Sequence, residues 1–363
     1  MCKETAVTRA VCAMSGGVDS SVAAALCLEQ GLQCIGITLK LYGGENPRIS
    51  AGCCSLADVN DAKNVAFGLG MAHYVLNFCE EFDKYVIKHF VETYEQGATP
   101  NPCIECNRRI KFNSLLLRAC QLDFDLLVTG HYARVSKDSA SGRYILQKAV
   151  DEKKDQSYVL YCLTQQQLKK SYFPLGALSK NEVRKIAENK NFVNAAKEES
   201  QDICFVPDGD YAGFIESYTG KTYPCGDIID TEGNFLGRHK GLIRYTIGQR
   251  RGLGVAANTP VYVARKSVQD NTVTLAPEQE LYSGSLTAHN INLIACAEIK
   301  KPLRVTVKTR YLQEAQGAVA EQTGEDSLHI EFNSPQRAIT PGQAAVMYDG
   351  DIVVGGGTID VIR

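Results

Sequence analysis

Two segments of this chain carry chemically capable residues at informative spacing. The first is Ser15-Gly16-Gly17-Val18-Asp19-Ser20-Ser21, between the apolar run Val7–Ala13 and an alanine-rich stretch. Two glycines permit a tight turn and let amide N–H groups approach an anion without Cβ obstruction. A helix starting here points its positive end at the same place, and Ser15, Ser20 and Ser21 add hydroxyl donors. No Gly-Lys-Ser/Thr follows and Gly-x-Gly-x-x-Gly is absent, so this is neither a Walker loop nor a dinucleotide fingerprint. The second segment is Thr99-Pro100-Asn101-Pro102-Cys103-Ile104-Glu105-Cys106-Asn107. Its prolines fix φ and are expected to exclude regular helix until Asn107, which would cap the helix that follows. Cys103 and Cys106 then sit at a positive helix end, where a thiol acidifies and becomes a nucleophile or metal ligand. Arg108, Arg109 and Lys111 add positive charge; the bland reading is a structural Cys-x-x-Cys turn. A third thiol, Cys204, lies in an apolar Ile-Cys-Phe run and reads on its own residues as core.

The surrounding pattern predicts what positions these groups. Strand-like runs at Val7–Ala13, Cys34–Leu39, Ala72–Leu76 and Asp125–Thr129 alternate with helical periodicity over Ser20–Gln30, Leu56–Leu69, Phe82–Tyr94 and Arg108–Cys120. Such alternation implies a doubly wound parallel sheet, with ligands at the carboxyl ends of its strands. From about residue 205 the pattern changes to short period-2 segments, at Pro260–Ala264, Thr272–Leu275, 303–309, 327–332, 344–348 and 352–359. The expected architecture is an α/β amino-terminal domain (1–205), a small mixed central domain (206–280) and a carboxyl-terminal β-barrel (281–363).

Composition bounds the function. The 363 residues carry 39 basic and 41 acidic side chains, so a nucleic-acid role must come from a local patch. One exists: Gly233–Lys266 holds Arg238, Lys240, Arg244, Arg250, Arg251, Arg265 and Lys266 with no Asp or Glu, which suits a phosphate backbone. No window of about 18 apolar residues predicts a membrane span. Lys3, Glu4, Arg9 and Asp19 leave no uncharged stretch for a secretory signal, so a cytoplasmic protein is expected. The 14 cysteines are then read as core thiols, ligands or nucleophiles rather than disulfides. Cys12, Cys27, Cys34, Cys120 and Cys162 read as core, and Cys53-Cys54 as buried or helix-capping.

The phosphate loop resembles the SGGxDS loop of the ATP pyrophosphatases, which split ATP between its α and β phosphates. That resemblance implies that Ser15 to Ser20 hold pyrophosphate, with Asp19 helping to place Mg²⁺. Together with TPNPxxxCNxxIKF, GHYA (Gly130–Ala133), KDQSYVL (Lys154–Leu160), SQDICFV (Ser200–Val206), YTIGQRRGLG (Tyr245–Gly254) and PGQAAVMYDGD (Pro341–Asp351), it makes the chain resemble the bacterial tRNA-specific 2-thiouridylases over essentially its whole length. The resemblance implies ATP-dependent adenylation of the C2 oxygen of the wobble uridine (U34), followed by sulfur transfer giving 2-thiouridine, AMP and pyrophosphate. It implies Cys106 as the first catalytic cysteine and Cys204 as the persulfide carrier. It implies an ATP site at Ala13, Met14, Ser15, Gly16, Gly17, Val18, Asp19, Ser20, Leu39 and Gly130. Asn101, Pro102 and Cys103 would meet the target base. His131, Lys154, Asp155, Gln156, Arg310, Tyr311 and Gln343 would contact the tRNA anticodon stem-loop, and a sulfur donor or persulfide carrier would be the second partner. The family's best-known branch has an aspartate at the position of Cys103. The thiol here opens an alternative in which Cys103, Cys106 and Cys204 ligate a 4Fe–4S cluster with one open iron. Two competing readings are an SGGxDS amide-forming ligase, which would need an ammonia source, and a non-catalytic tRNA-binding protein with a relict loop.

Overall fold

The structure, a computed structural model, describes residues 7–42, 55–198, 203–257 and 259–362. Cys53 and Cys54 lie outside the described residues. The chain forms two compact units. One comprises residues 1–86, 103–209 and 351–353, the other 87–102, 210–350 and 354–363.

In the first unit, strands β1 (Arg9–Ala13), β2 (Gln33–Lys40), β3 (His73–Asn77) and β4 (Leu126–Val128) belong to one sheet. A hairpin follows, β5 (Arg134–Lys137) with β6 (Tyr144–Gln147), and then β7 (Ser171–Tyr172). The sheet order is β3-β2-β1-β4-β7, with every neighbouring pair parallel. The chain leaves β1 toward β2 and β3, and β4 lies on the other side of β1. This reversal opens a crevice at the carboxyl ends of β1 and β4, where such sheets bind ligands. Helices α1 (Val18–Glu29) and α2 (Leu56–Gly68) follow β1 and β2. The core joins Ala10, Cys12 and Met14 to Val22, Ala23 and Cys27 of α1 and Ala62, Val65 and Ala66 of α2. Cys12, Cys27 and Cys34 are buried, as the apolar context predicts.

The helix expected from Arg108 begins six residues earlier. It runs over 102–121, from an α-helical turn at Pro102–Glu105 through a wide π-helical stretch at Cys106–Leu115 to Leu116–Gln121. Pro102 occupies the first helical position, where a missing N–H costs nothing and a fixed φ fits the helix. Asn107 is therefore no cap: it is buried inside the helix, and its Nδ2 donates to the Val159 carbonyl at 3.0 Å. The helix expected at Phe82–Tyr94 likewise runs over 79–95, with a wide turn at Asp83–Ile87.

The second unit carries two β modules. In the first, β8 (Gly226–Ile229), β9 (Phe235–His239), β10 (Tyr262–Ser267) and β11 (Thr272–Ala276) form a mixed sheet, order β10-β11-β8-β9, over Ile228, Tyr245, Val263, Val273 and Leu275. A short helix, Tyr211–Thr219, precedes it. In the second, β12 (Tyr282–Leu293), β13 (Leu303–Lys308), β14 (Gln316–Gly324), β15 (Ser327–Arg337), β16 (Ala344–Asp349) and β17 (Ile352–Ile362) run in the order β12-β15-β14-β13-β16-β17. β12 also pairs with β17, so the barrel closes and no edge among these strands is left open. The α/β domain followed by a mixed module and a barrel is the architecture that the alternation of periodicities predicts.

Candidate active site

The loop 14–17 sits at the crevice. Gly16 takes φ +76°, a conformation that favours glycine, and a Cβ there would lie 2.2 Å from the Asp58 carbonyl oxygen. The loop is laced internally. The Ser15 amide donates to Ser20 Oγ at 3.1 Å, and the Ser20 and Ser21 hydroxyls each donate to the Gly17 carbonyl at 3.0 Å. The N-cap of α1 is Gly17, which offers no capping side chain, and this leaves the first amides of the helix suited to an anion. Across the crevice the β4 loop comes so close that a Cβ on Gly130 would lie 2.7 Å from backbone atoms of Asp19 and Ser20. Ala13, Met14, Val18 and Leu39 line or underlie this end of the sheet, with Met14 and Leu39 buried.

Two donors from further along the chain hold the outer side of the loop. Asn194 Nδ2 donates to the Gly16 carbonyl at 2.9 Å and to Ser21 Oγ at 3.0 Å. Lys197 Nζ reaches the same carbonyl at 3.2 Å, Asp58 at 2.7 Å and Asp61 at 2.6 Å. Burial pushes the Asp58 carboxyl up, but Lys197 and Ser55 outweigh it and hold it below the usual range. Asp19 accepts from Tyr132 Oη at 2.8 Å and Lys180 Nζ at 2.7 Å, both on Oδ1; its side chain is 30% exposed. The uncapped start of α1, a turn at Gly16 that a Cβ would break, and a partly exposed carboxylate fit a Mg²⁺-bound triphosphate. Sequence reasoning missed Lys180, Asn194 and Lys197 because they lie more than 160 residues from the loop, outside any short motif.

Cys103 lies exposed in the first turn of the 102–121 helix, and Cys106 lies buried where the π-helical stretch begins. The positive charge expected beside them is partly answered. Arg108 pairs with Glu105 at 2.8 Å and Arg109 approaches the same carboxylate at 3.9 Å. The nearby Cys162 thiol donates to the Ile104 and Val159 carbonyls, and burial pushes it up to about 12, which keeps it an inert thiol. Cys204 is half-buried in a turn closed by the Val206 amide on the Ile203 carbonyl at 2.8 Å. Its neighbour Phe205 anchors that turn edge-to-face on Phe82. Among the described residues no three His, Cys, Asp or Glu side chains stand together as a metal site. Cys103, Cys106 and Cys204 are thus not assembled as cluster ligands here.

Comparison with known proteins bears on this pairing of phosphate loop and thiols. A model described as the tRNA methyl transferase HUP domain matches residues 8–208, its PRC-barrel domain 212–277, and an aminomethyltransferase beta-barrel domain 283–359. The tRNA-specific 2-thiouridylase MnmA of Acetivibrio thermocellus is 48% identical over 349 residues, covering 95% of this chain and 97% of that one. That of Clostridioides difficile is 47% identical over 348 residues, covering 96% of each. The chain belongs to the tRNA-specific 2-thiouridylase family. The amide-ligase and relict-loop readings give way to that membership.

The residues that family resemblance assigns to tRNA occupy varied settings. The His131 ring is buried against Phe112 and Phe173, with Nδ1 2.7 Å from Thr129 Oγ1, so it stands in the core rather than on a surface where a base could stack. Burial, then Lys111, holds it well below the usual imidazole range. Folding therefore excludes a proton that the unfolded chain binds below about pH 6.5. The wild type should lose roughly 1 kcal/mol, or about 2–4 °C of melting temperature, on going from pH 6.5 to 5.5 through this residue; His131→Gln should lack that increment in thermal melts. Asp155 is buried and accepts the Ala149 and Ser157 amides and the Ser157 hydroxyl, while Gln156 accepts from the Tyr132 amide. Lys154 is half-buried. In the second unit, Arg310 Nη2 donates to the Ile247 and Ala338 carbonyls and to Thr340 Oγ1, tying the Tyr245–Gly254 loop to the barrel; Tyr311 beside it is half-exposed. Gln343 Nε2 donates to the Thr99 and Pro100 carbonyls at 2.9 and 3.0 Å, fixing the irregular segment that leads to Asn101 and Pro102. The basic stretch also divides. Arg244 is held by both oxygens of Glu216, and Lys266 donates to the Tyr245 carbonyl, while Arg238, Lys240, Arg250, Arg251 and Arg265 are exposed.

Proposed function

We propose that this chain is an ATP-dependent tRNA uridine 2-sulfurtransferase. The uracil C2 oxygen is a poor leaving group. Its attack on the α phosphate of ATP expels pyrophosphate and leaves it adenylated, so that AMP can depart. A persulfide on Cys204, loaded by an external sulfur donor, attacks C2 through its terminal sulfur. The Cys106 thiolate then attacks the inner Cys204 sulfur, breaking the S–S bond, leaving the outer sulfur on C2 and forming a Cys106–Cys204 disulfide. An external dithiol, itself oxidised to a disulfide, supplies the two electrons that restore the pair. The observation that supports this reading is that one compact unit holds the glycine-rich loop, with Gly16 at φ +76°, together with Cys106 and Cys204. The target is the wobble uridine, flipped from its stack toward Asn101, Pro102 and Cys103.

Mass spectrometry of unmodified tRNA incubated with the protein, ATP and a persulfide donor tests it. One oxygen replaced by sulfur at the wobble uridine, with one AMP per thiolated tRNA, is the expected result. Amide formation from a carboxylic acid and ammonia, with unmodified tRNA, overturns it. Binding should be salt-dependent through the exposed cations. Arg250→Ala and Arg251→Ala should each flatten the slope of log affinity against log salt by about 0.7–0.9, whereas Arg244→Ala should lower thermal stability first.

A further inference from the structure

Asn194 uses both protons of its side-chain amide on the glycine-rich loop. Nδ2 donates to the Gly16 carbonyl at 2.9 Å and to Ser21 Oγ at 3.0 Å. Ser21 in turn donates to the Gly17 carbonyl at 3.0 Å. One amide thereby fixes two successive carbonyls, Gly16 directly and Gly17 through a hydroxyl. A carbonyl only accepts, so the atom that faces Gly16 must be the nitrogen. Lys197 Nζ reaches the same carbonyl at a longer 3.2 Å and is shared with Asp58 and Asp61. Asn194 comes from a turn closed by the Lys197 amide on its own carbonyl at 3.0 Å, 178 residues beyond Gly16. It is 2% exposed, and its Oδ1 meets no donor among the described residues. An orphaned buried acceptor is destabilising, so packing alone does not account for an asparagine at this place.

We propose that Asn194 is a positioning residue that sets the polarity of the loop: it holds the Gly16–Gly17 peptide with its N–H turned toward the phosphates of a nucleotide. This rests on the nucleotide-splitting reading above. In a trans peptide the carbonyl and the following N–H point opposite ways. Drawing the Gly16 carbonyl outward therefore sends the Gly17 N–H into the crevice. Two glycines flank this peptide, and neither has a Cβ to resist its turning over. Turned over, it would present a carbonyl oxygen to a polyphosphate and repel it. The glycines make the tight turn possible but leave its polarity open, and the Asn194 amide closes that choice. Asn194 touches no phosphate itself; it acts through the Gly17 amide. A nucleoside without phosphates is indifferent to which way the peptide faces.

Equilibrium binding of Mg-ATP and of adenosine to the full chain, to Asn194→Ala and to Asn194→Asp tests this. Asn194→Ala should weaken Mg-ATP by about 10- to 100-fold and adenosine by less than about threefold. Asn194→Asp keeps the shape and replaces the donors by acceptors, so it should lose at least as much Mg-ATP affinity. The adenosine measurement also reports whether the variant's site is folded. Equal losses for the two ligands make Asn194 a packing residue and overturn the proposal, as does no loss for either. An Asn194→Asp chain that binds Mg-ATP as the wild type does overturns it too, because shape rather than donation would then be what matters. A wild-type chain that binds neither ligand overturns the nucleotide-splitting reading as well, which separates the two failures.

Discussion

Cys106→Ser should abolish tRNA thiolation, by about a thousandfold or more, while leaving Mg-ATP affinity unchanged. A hydroxyl at this position is neither acidic enough nor nucleophilic enough to open the S–S bond of a Cys204 persulfide. Cys106 is buried at the start of the π-helical stretch, so the exchange also places a stronger polar group in a closed setting. That costs about 1–2 kcal/mol, or a few degrees of melting temperature, too little to unfold the unit. Cys204→Ser should be equally inactive. Cys103→Ser should stay within about tenfold of the wild type, since the proposed S–S exchange runs between Cys106 and Cys204 alone. The three variants together separate two chemistries. Equal collapse of all three, accompanied by iron and acid-labile sulfide in anaerobically purified wild-type protein, would replace the persulfide route with cluster chemistry. A Cys106→Ser protein that still thiolates would remove this residue from the reaction.

Much of the scaffold was legible because periodicity reports burial directly. The parallel sheet, the mixed module and the barrel all follow from where apolar residues recur. The glycine-rich loop was legible because one of its glycines, Gly16 at φ +76°, is demanded by local geometry. What sequence could not supply was partnership across distance. Gln343, Arg310 and Asp155 sit in motifs that invite a reading as RNA contacts, yet each has side-chain atoms engaged with its own backbone: Thr99 and Pro100, Ile247 and Ala338, Ala149 and Ser157. Motif spacing does not distinguish a residue that touches a ligand from one that shapes the loop that does. The misplaced helix start has a similar origin. Two prolines read as helix breakers, but Pro102 stands where proline is welcome, and the shift turns Asn107 from a cap into a buried tether. The sequence shows a patch of seven basic residues, and Glu216 and the Tyr245 carbonyl leave five of them exposed.

Gly16→Ala should be the most damaging single methyl in the nucleotide site, and its neighbour shows why. Both glycines belong to the same motif, yet only one is sterically obligatory. Gly16 holds φ +76°, and the added Cβ would lie 2.2 Å from the Asp58 carbonyl oxygen and 2.8 Å from that residue's Cα. These are backbone atoms of α2, inside a capping box with Ser55, so no side chain can swing away to make room. The backbone strain and the overlap together cost about 3 kcal/mol or more, which corresponds to roughly 6–12 °C in the melting temperature of a unit this size. Relief requires the loop to move, which carries the Gly16 carbonyl away from Asn194 and Lys197 and misdirects the amides meant for phosphate. Mg-ATP affinity should therefore fall by at least about 100-fold. Gly17 instead has φ −88°, and its added Cβ meets only Ser15 Oγ at 3.4 Å, an ordinary contact. Gly17→Ala should melt within about 2 °C of the wild type. Thermal melts and nucleotide titrations of the two variants side by side decide the matter. Equal tolerance would mean that the loop does not hold this conformation, and the anion site built on it would fall with it.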